Sequence, residues 1–553
     1  MTVSNNSNWW RGAVIYQVYP RSYLDSTGTG VGDLKGITSK LEYIASLGVD
    51  AVWISPFFTS PMKDFGYDIS DYCDVDPIFG CLADFDVLIE KAHSLNLKIM
   101  IDLVLSHCSD EHKWFKESRL SDNNDKADWF VWADANDDGS VPNNWQSVFG
   151  GAAWTWDSRR KQYYLHNFLT SQPDLNFHNP EVQQASLDTA EFWLKRGVDG
   201  FRLDAVNFYF HDQRLRNNPP RVEVTEGAIG VRPDNPYGFQ MHKYDKSQPQ
   251  NVRFLEKFRS LLDQYPGSAT VGEIGCDHSI ETMAAYTSGN NKLNMAYSFD
   301  LLTEEKGAPF LKGTILRHQE KLLDGWPCWS TGNHDVQRVM TRWADKGTVE
   351  KQTDYDANNQ KDIERGLAYL ASTTLARGSV CLYQGEELGF TEAKLTYEDL
   401  VDPYGLTFWP EYQGRDGCRT PMAWTTDQPN GGFSTAKPWL PVASSHIKNS
   451  VEALELQPEA ILHHYRDILN WRKQHEVLLD GDMEFIDGPE DVLFFVRKND
   501  KQTLLCAINL SNKEQTIDAT HYECQLMAIP KSFALLETGK NTLAPWQVKV
   551  CQL

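Results

Sequence analysis

Eight short apolar runs, rich in β-branched and aromatic residues, recur over roughly the first 390 positions, and most lead into a longer stretch with helical spacing of its apolar residues. The runs are AVIYQVY from Ala13 to Tyr19, DAVWIS from Asp50 to Ser55, KIMIDLV from Lys98 to Val104 and GFRLD from Gly200 to Asp204. They continue with ATVGE from Ala269 to Glu273, MAYSFD from Met295 to Asp300, PCWS from Pro327 to Ser330 and SVCLYQGEE from Ser379 to Glu387. Between the first three lie GITSKLEYIASLG, ending at Gly48, and ADFDVLIEKAHSLN, ending at Asn96; the second puts Phe85, Leu88, Ile89, Ala92 and Leu95 on one helical face. Such alternation of strand and helix predicts an α/β protein built as a closed parallel (β/α)8 barrel rather than an open doubly wound sheet.

Two intervals are too long for ordinary βα connections. The first, from Ser106 to about Asn179, is rich in Trp, Asn, Asp and Gly; the second follows the eighth run, from about Thr391 to Ser445. After the helical stretch HHYRDILNWRKQH, the tail alternates short apolar runs such as VLFFVRK and TLLCAINL with turns. The expected organisation is therefore a catalytic barrel over 1–105 and 178–476, with an insertion at about 391–445, an inserted subdomain at 106–177, and a C-terminal antiparallel β-sandwich at 477–553.

Composition narrows the partner. A formal net charge of -23 disfavours nucleic acid and anionic membrane surfaces, leaving a neutral or cationic small molecule as the expected ligand. The ten cysteines show no CxxC pair and no His/Cys metal spacing, so they read as small buried hydrophobes. The opening MTVSNNSNWWRGAVIY carries no basic region followed by a long apolar stretch, which predicts no signal peptide, no membrane span and a cytoplasmic protein; a monomer or small homo-oligomer is expected separately.

Barrel enzymes carry their chemistry at the C-terminal ends of the strands. Here Asp204 ends GFRLD, Glu273 ends TVGE, and Asp335 follows the seventh run in TGNHD. Any one of these acids reads equally well as a loop salt bridge, but three converging on one mouth point to catalysis. Arg202, two positions before Asp204, lies on the same strand face and is expected to hold that aspartate ionised. Glu273, crowded by the other acids and partly desolvated, is expected to keep a proton near neutrality. One ionised and one protonated carboxyl are the pair that retaining glycoside hydrolysis uses.

The same residues fall within an ordered set of motifs: DLVLSH at Asp102 to His107, QPDLN at Gln172 to Asn176, GFRLD, VGE at Val271 to Glu273, NHD at Asn333 to Asp335, and GRDGCRTPM at Gly414 to Met422. Almost end to end, the chain resembles the α-amylase superfamily, glycoside hydrolase family 13, and within it the α-glucosidase and oligo-1,6-glucosidase branch. The resemblance implies Asp204 as nucleophile, Glu273 as general acid and base, and Asp335 as transition-state stabiliser. It further implies His107 and His334 as donors to glucose hydroxyls, Arg202 beside the nucleophile, and Tyr67 as the platform under the sugar, with Phe168 and Arg415 also among the substrate-binding residues. By the same resemblance Asp68 would bind the terminal hydroxyls and pair with Arg419, closing the pocket beyond one glucose. Ala205, the small residue after the nucleophile, is similar to that of α-1,4-preferring members.

The first βα loop, DSTGTGVGD from Asp25 to Asp33, offers oxygens at alternate positions: Asp25, Thr27, Thr29, the carbonyl of Val31, and Asp33. These would suit a structural Ca2+ or Mg2+, weakened by Thr29 where metal-binding relatives carry another acid or amide, and a metal-free hydrogen-bonded loop is an equal reading. No cofactor is expected in catalysis. The expected function is a retaining, exo-acting α-glucosidase that prefers short α-1,4-glucosides such as maltose and has some capacity for transglucosylation. The alternatives are an oligo-1,6-glucosidase, a sucrose isomerase or transglucosylase, and a non-catalytic barrel acting as a binding subunit. A trehalose-phosphate hydrolase would need a basic clamp at the acceptor site that the sequence does not reveal.

Overall fold

The computed structural model describes residues 8–222, 235–344 and 359–553; the first seven residues, part of the segment on which the leader expectation rests, lie outside it. All eight apolar runs are strands: β1 (Val14–Val18), β2 (Ala51–Ile54), β3 (Lys98–Val104), β4 (Gly200–Asp204), β5 (Ala269–Ile274), β6 (Met295–Ser298), β7 (Cys328–Ser330) and β8 (Ser379–Tyr383). They form one parallel sheet in the order β6-β5-β4-β3-β2-β1-β8-β7, and a parallel bridge between Ala296 and Pro327 joins its two edges. The sheet is the (β/α)8 barrel.

Alternation along each strand divides the core in two. Ile15, Trp53, Met100, Val271, Met295, Tyr297, Cys328 and Cys381 pack against one another inside the barrel. Their neighbours Val14, Tyr16, Val52, Ile54, Ile99 and Ile101 face outward into the helical layer, among Leu41, Phe85, Leu88 and Trp193. The helix Leu34–Ser46 starts where Asp33 accepts the backbone N–H of Gly36, the side-chain cap that a helix N-terminus calls for.

Between β3 and the helix Pro180–Lys195, a three-stranded antiparallel sheet (Trp132–Ala133, Trp154–Asp157, Gln162–Leu165) encloses its own small core of Val131, Trp145, Ala153, Trp154 and Leu165. After β8 come short helices at Pro403–Phe408 and Asp416–Arg419; Arg415, just before the second, and Arg419, at its end, reach the barrel mouth. The C-terminal unit pairs Asp482–Phe485, Val492–Lys498, Thr503–Asn509 and Val548–Gln552 antiparallel, and Phe533–Leu535 joins the last of these parallel. Val492, Phe494, Leu505 and Ala507 face the two-stranded sheet Gln515–Asp518/Lys540–Leu543, while Leu493, Phe495, Leu504 and Cys506 face the barrel's helical layer.

Six of the ten cysteines are buried as expected, but Cys81 is exposed: it sits at the helix start before Leu82–Ser94, where its backbone N–H and thiol both reach Asp84. No described helix is long and apolar enough to cross a membrane.

Candidate active site

The floor of the mouth is organised by strand register. Asp102 on β3 pairs with Arg202 on β4, Arg202 pairs with Val271 on β5, and Glu273 pairs with Tyr297 on β6, so side chains two residues apart converge on one layer. Arg202 is fully buried and its guanidinium touches three carboxylates: Asp102 at 2.9 Å, Asp204 at 2.5 Å and Glu273 at 2.5 Å. Tyr297 accepts from Arg202 and donates to Glu273 at 3.0 Å, and the backbone N–H of Ala205 donates to the other Glu273 oxygen at 3.1 Å. Asp102 also accepts from Trp53 and from the Tyr67 hydroxyl, at 3.1 and 2.9 Å.

This sharing changes the expected charge of Asp204. One guanidinium divided among three acids does not offset burial, which pushes both Asp204 and Glu273 up to about 7 and Asp102 to about 6. Arg202 draws Asp204 toward ionisation, as expected, but burial outweighs it. The Asp204–Glu273 pair retains a proton into the neutral range, and that proton belongs to the pair.

Asp335 is the opposite case. Burial alone would raise it, but Arg419 at 2.7 Å and Arg415 at 3.2 Å hold it well below the ordinary carboxylate range. His334, 3.2 Å away, is itself pushed down to about 3 by burial and is neutral at pH 7, so the guanidinium groups carry the effect.

A pocket opens above this floor, lined by Asp204, Glu273 and Asp335 together with Tyr67, His107, Phe168, Ala205 and Arg415. His107 points one ring nitrogen at the Tyr67 carbonyl, 3.1 Å away, and burial lowers it to about 4; its ring packs 5.0 Å from Phe168. His334 stands behind the wall: it is fully buried, with Tyr67 stacked on one side at 5.2 Å and Tyr19 on the other at 5.3 Å.

The expected Asp68–Arg419 pair does not form. Asp68 turns into its own loop, accepting from the backbone N–H groups of Lys63 and Asp64 and from Ser60 Oγ, while Arg419 reaches Asp335 and the His334 carbonyl. The pair that closes the pocket is Asp64 with Arg415, at 2.8 Å, and Arg415 is anchored behind by Asp402, also at 2.8 Å. Asp64 lies three positions before Tyr67, and only the distant GRDGCR segment reveals its part.

Ala205 adopts a left-handed backbone conformation, with φ of 41°, a region that β-branched residues strongly disfavour. The pocket is also lined by Phe208, Tyr237 and Phe299, with Lys246 among them, and by Phe149 and Tyr404 near Arg415; none of these stood out in the sequence.

In the Asp25–Asp33 loop the oxygens are the hard donors that Ca2+ or Mg2+ take. Asp25 accepts the N–H groups of Thr27, Gly28 and Gly30 and the hydroxyl of Ser434, Asp33 accepts from Ser26 and Gly36, and Thr29 bonds the Val31 carbonyl. Among the described residues no group of three or more His, Cys, Asp or Glu side chains could hold a metal.

A parallel barrel with three acids at its mouth defines a class, and comparison places the chain in it. Residues 17–481 match the model of the alpha amylase catalytic domain. A probable alpha-glucosidase of Rhizobium meliloti (strain 1021) is 53% identical over 512 residues, 92% of this chain and 90% of that protein. An oligo-1,6-glucosidase of Heyndrickxia coagulans is 36% identical, over 93% of this chain and 94% of that protein. Among solved structures, an alpha-glucosyl transfer enzyme, XgtA, superposes with a TM-score of 0.93 at 52% identity, covering 98% of this chain and 99% of that one. The chain belongs to the α-amylase family, and is a glycoside hydrolase of its α-glucosidase and oligo-1,6-glucosidase group.

Proposed function

We propose that the protein is a retaining, exo-acting α-glucosidase, releasing glucose from the non-reducing end of short α-glucosides and preferring α-1,4 linkages such as that of maltose. The observation that carries the reading is the single Arg202 guanidinium in contact with both Asp204 and Glu273 on the floor of a pocket that Asp64 and Arg415 wall off. One guanidinium bridging both acids favours the shorter carboxylate separation, roughly 5 to 5.5 Å, that retention uses.

Asp204 attacks the anomeric carbon as Glu273 passes its proton to the departing oxygen, leaving a glucosyl ester on Asp204. Glu273, now ionised, takes a proton from an incoming water, whose oxygen displaces Asp204 and restores the α configuration. Asp335, ionised throughout, faces the positive charge that develops on the ring, and Tyr67 packs under the sugar while excluding water. His107 and Arg415 are placed to hold glucose hydroxyls. The same intermediate intercepted by a sugar hydroxyl gives transfer.

The α-1,4 preference rests on the small Ala205 beside the nucleophile. A structural Ca2+ or Mg2+ would sit on Asp25, Thr27, Thr29, the Val31 carbonyl and Asp33, remote from these steps. Product analysis on maltose, isomaltose, sucrose and soluble starch, with the released anomer recorded, tests the reading. Release of α-glucose from maltose ahead of isomaltose, with starch nearly untouched, is expected; first-formed β-glucose or preferred attack on starch would overturn it.

A further inference from the structure

Lys246 is 4% exposed, yet it lines the pocket on the Glu273 side. Its ammonium donates to the Tyr237 hydroxyl at 2.6 Å and to the Gly275 carbonyl at 2.9 Å, and lies 4.6 Å from the centre of the Phe208 ring and 5.0 Å from that of Tyr237. Burial draws its pKa downward, against the raising influence of Asp245 and Asp277. Those two acids are committed elsewhere, Asp245 to His242 at 2.5 Å and Asp277 to Arg221 at 2.6 Å. Keeping an ammonium out of water is costly unless its donors are used, and both of these partners are neutral oxygens.

An ammonium has three N–H donors, and two are spent on the protein. Gly275 follows Glu273 by two residues and Phe208 follows Asp204 by four, so Lys246 stands where the loops after the two acids meet. Since Glu273 protonates the departing oxygen, the space beside Gly275, Cys276 and Asp277 is where the leaving group sits. The other polar side chains there, His242 and Asp277, are paired with Asp245 and Arg221, and much of the remaining wall is aromatic, which gives Lys246 weight as a polar contact.

We propose that Lys246 determines specificity on the leaving-group side: its third N–H donates to a hydroxyl of the departing sugar, and to the same hydroxyl of a sugar acceptor in transfer. The inference rests on the α-glucosidase reading above and adds the class of aglycone, a hydroxylated sugar held by a buried cation. A phenyl aglycone has no hydroxyl to accept this bond, and the apolar walls alone would hold it.

Lys246→Met keeps the apolar stem and removes the charge, so kcat/KM can be compared on maltose and on phenyl α-glucoside, which share the glucosyl group and differ in what leaves. Loss of a charge-assisted hydrogen bond should cost maltose roughly 10- to 100-fold, while the aryl glucoside falls by less than about 3-fold. In maltose-fed reactions the ratio of transfer to hydrolysis should fall as well. Equal losses on both substrates would mean that Lys246 only braces Tyr237 and Gly275, and an unchanged maltose rate would remove it from the site; either result overturns the proposal while leaving the α-glucosidase reading intact. A wild-type enzyme that cleaves no disaccharide would instead overturn that reading, and this inference with it.

Discussion

Two acidic centres share one mouth and have opposite electrostatics. Asp204 and Glu273, with Asp102 behind them, divide a single arginine among three carboxyl groups, and burial raises them into the neutral range. Asp335 meets two guanidinium groups, Arg419 and Arg415, the second shared with Asp64 and Asp402, and they hold it ionised. Charge balance and solvent act in the same direction, since the Asp335 side chain is 32% exposed against 11% for Asp204 and 9% for Glu273. A centre short of cations holds and moves a proton, and a centre rich in them supplies fixed negative charge. Covalent chemistry belongs at the first, and stabilisation of a developing cation at the second.

The largest test separates roles within the first centre. Asp204→Asn should lower kcat/KM by about 10^4 or more on every α-glucoside, since no other side chain can form the ester. Glu273→Gln should cost roughly 10^2 to 10^4 on maltose but markedly less on 4-nitrophenyl α-glucoside, whose leaving group departs without a proton. Parallel kinetics on the two substrates check both, and equal losses for Glu273→Gln would remove the proton-donor role.

How far these centres were legible in the sequence depends on which interactions are local. The eight strands were visible because each is a short apolar run, and Asp204 and Glu273 because each sits at or beside a strand's end. The two-residue period also put Arg202 and Asp204 on one face. It could not show that β3 and β5 bring Asp102 and Glu273 to the same guanidinium, because that depends on register between strands about 70 to 100 residues apart. For the same reason Asp68 was preferred to Asp64: the choice is settled by an ion pair spanning 351 positions. Lys246 and the aromatic walls were hidden because nothing in their local pattern separates a pocket lining from a core.

Removing a cation from the second centre should make it resemble the first. Arg419→Met leaves Asp335 with Arg415 alone, and kcat/KM at pH 7 should fall roughly 10- to 100-fold as charge stabilisation weakens. The acid side of the pH profile should also steepen at its low end, because Asp335 would begin to take up a proton there in addition to Asp204. Profiles measured from pH 4 to 8 on maltose check this. An acid limb of unchanged slope would break the link between arginine count and ionisation.

In the unaltered enzyme the working state has Asp204 ionised and Glu273 protonated, one proton on the pair. With both groups near 7, kcat/KM should peak close to neutrality. It should fall about tenfold per unit on each side, through protonation of Asp204 below and deprotonation of Glu273 above. Glu273→Gln should remove the alkaline limb from the residual rate. A plateau extending beyond pH 9 in the wild type would contradict a proton shared at this centre.

The smallest effect concerns stability, and its sign follows from the same imbalance. The carboxyl of Asp204 is raised from 3.8 to about 7 by burial, so the folded chain binds its proton more tightly than the unfolded chain does. Below pH 4 both states are protonated and the group contributes nothing. As pH rises from 4 to 7 the unfolded state ionises first, and the folded state loses stability that it does not regain above 7. Asp204→Asn removes this penalty, so the inactive variant should melt a few degrees higher than wild type at pH 8 and at nearly the same temperature at pH 4. Asp335→Asn should do the reverse: it strips a carboxylate held below its unfolded pKa and takes from the buried Arg419 its carboxylate partner, lowering the melting temperature at pH 8. Calorimetric scans of both variants at the two pH values would place them on opposite sides of wild type, and shifts of the same sign at pH 8 would mean that burial, not cation number, governs the two centres.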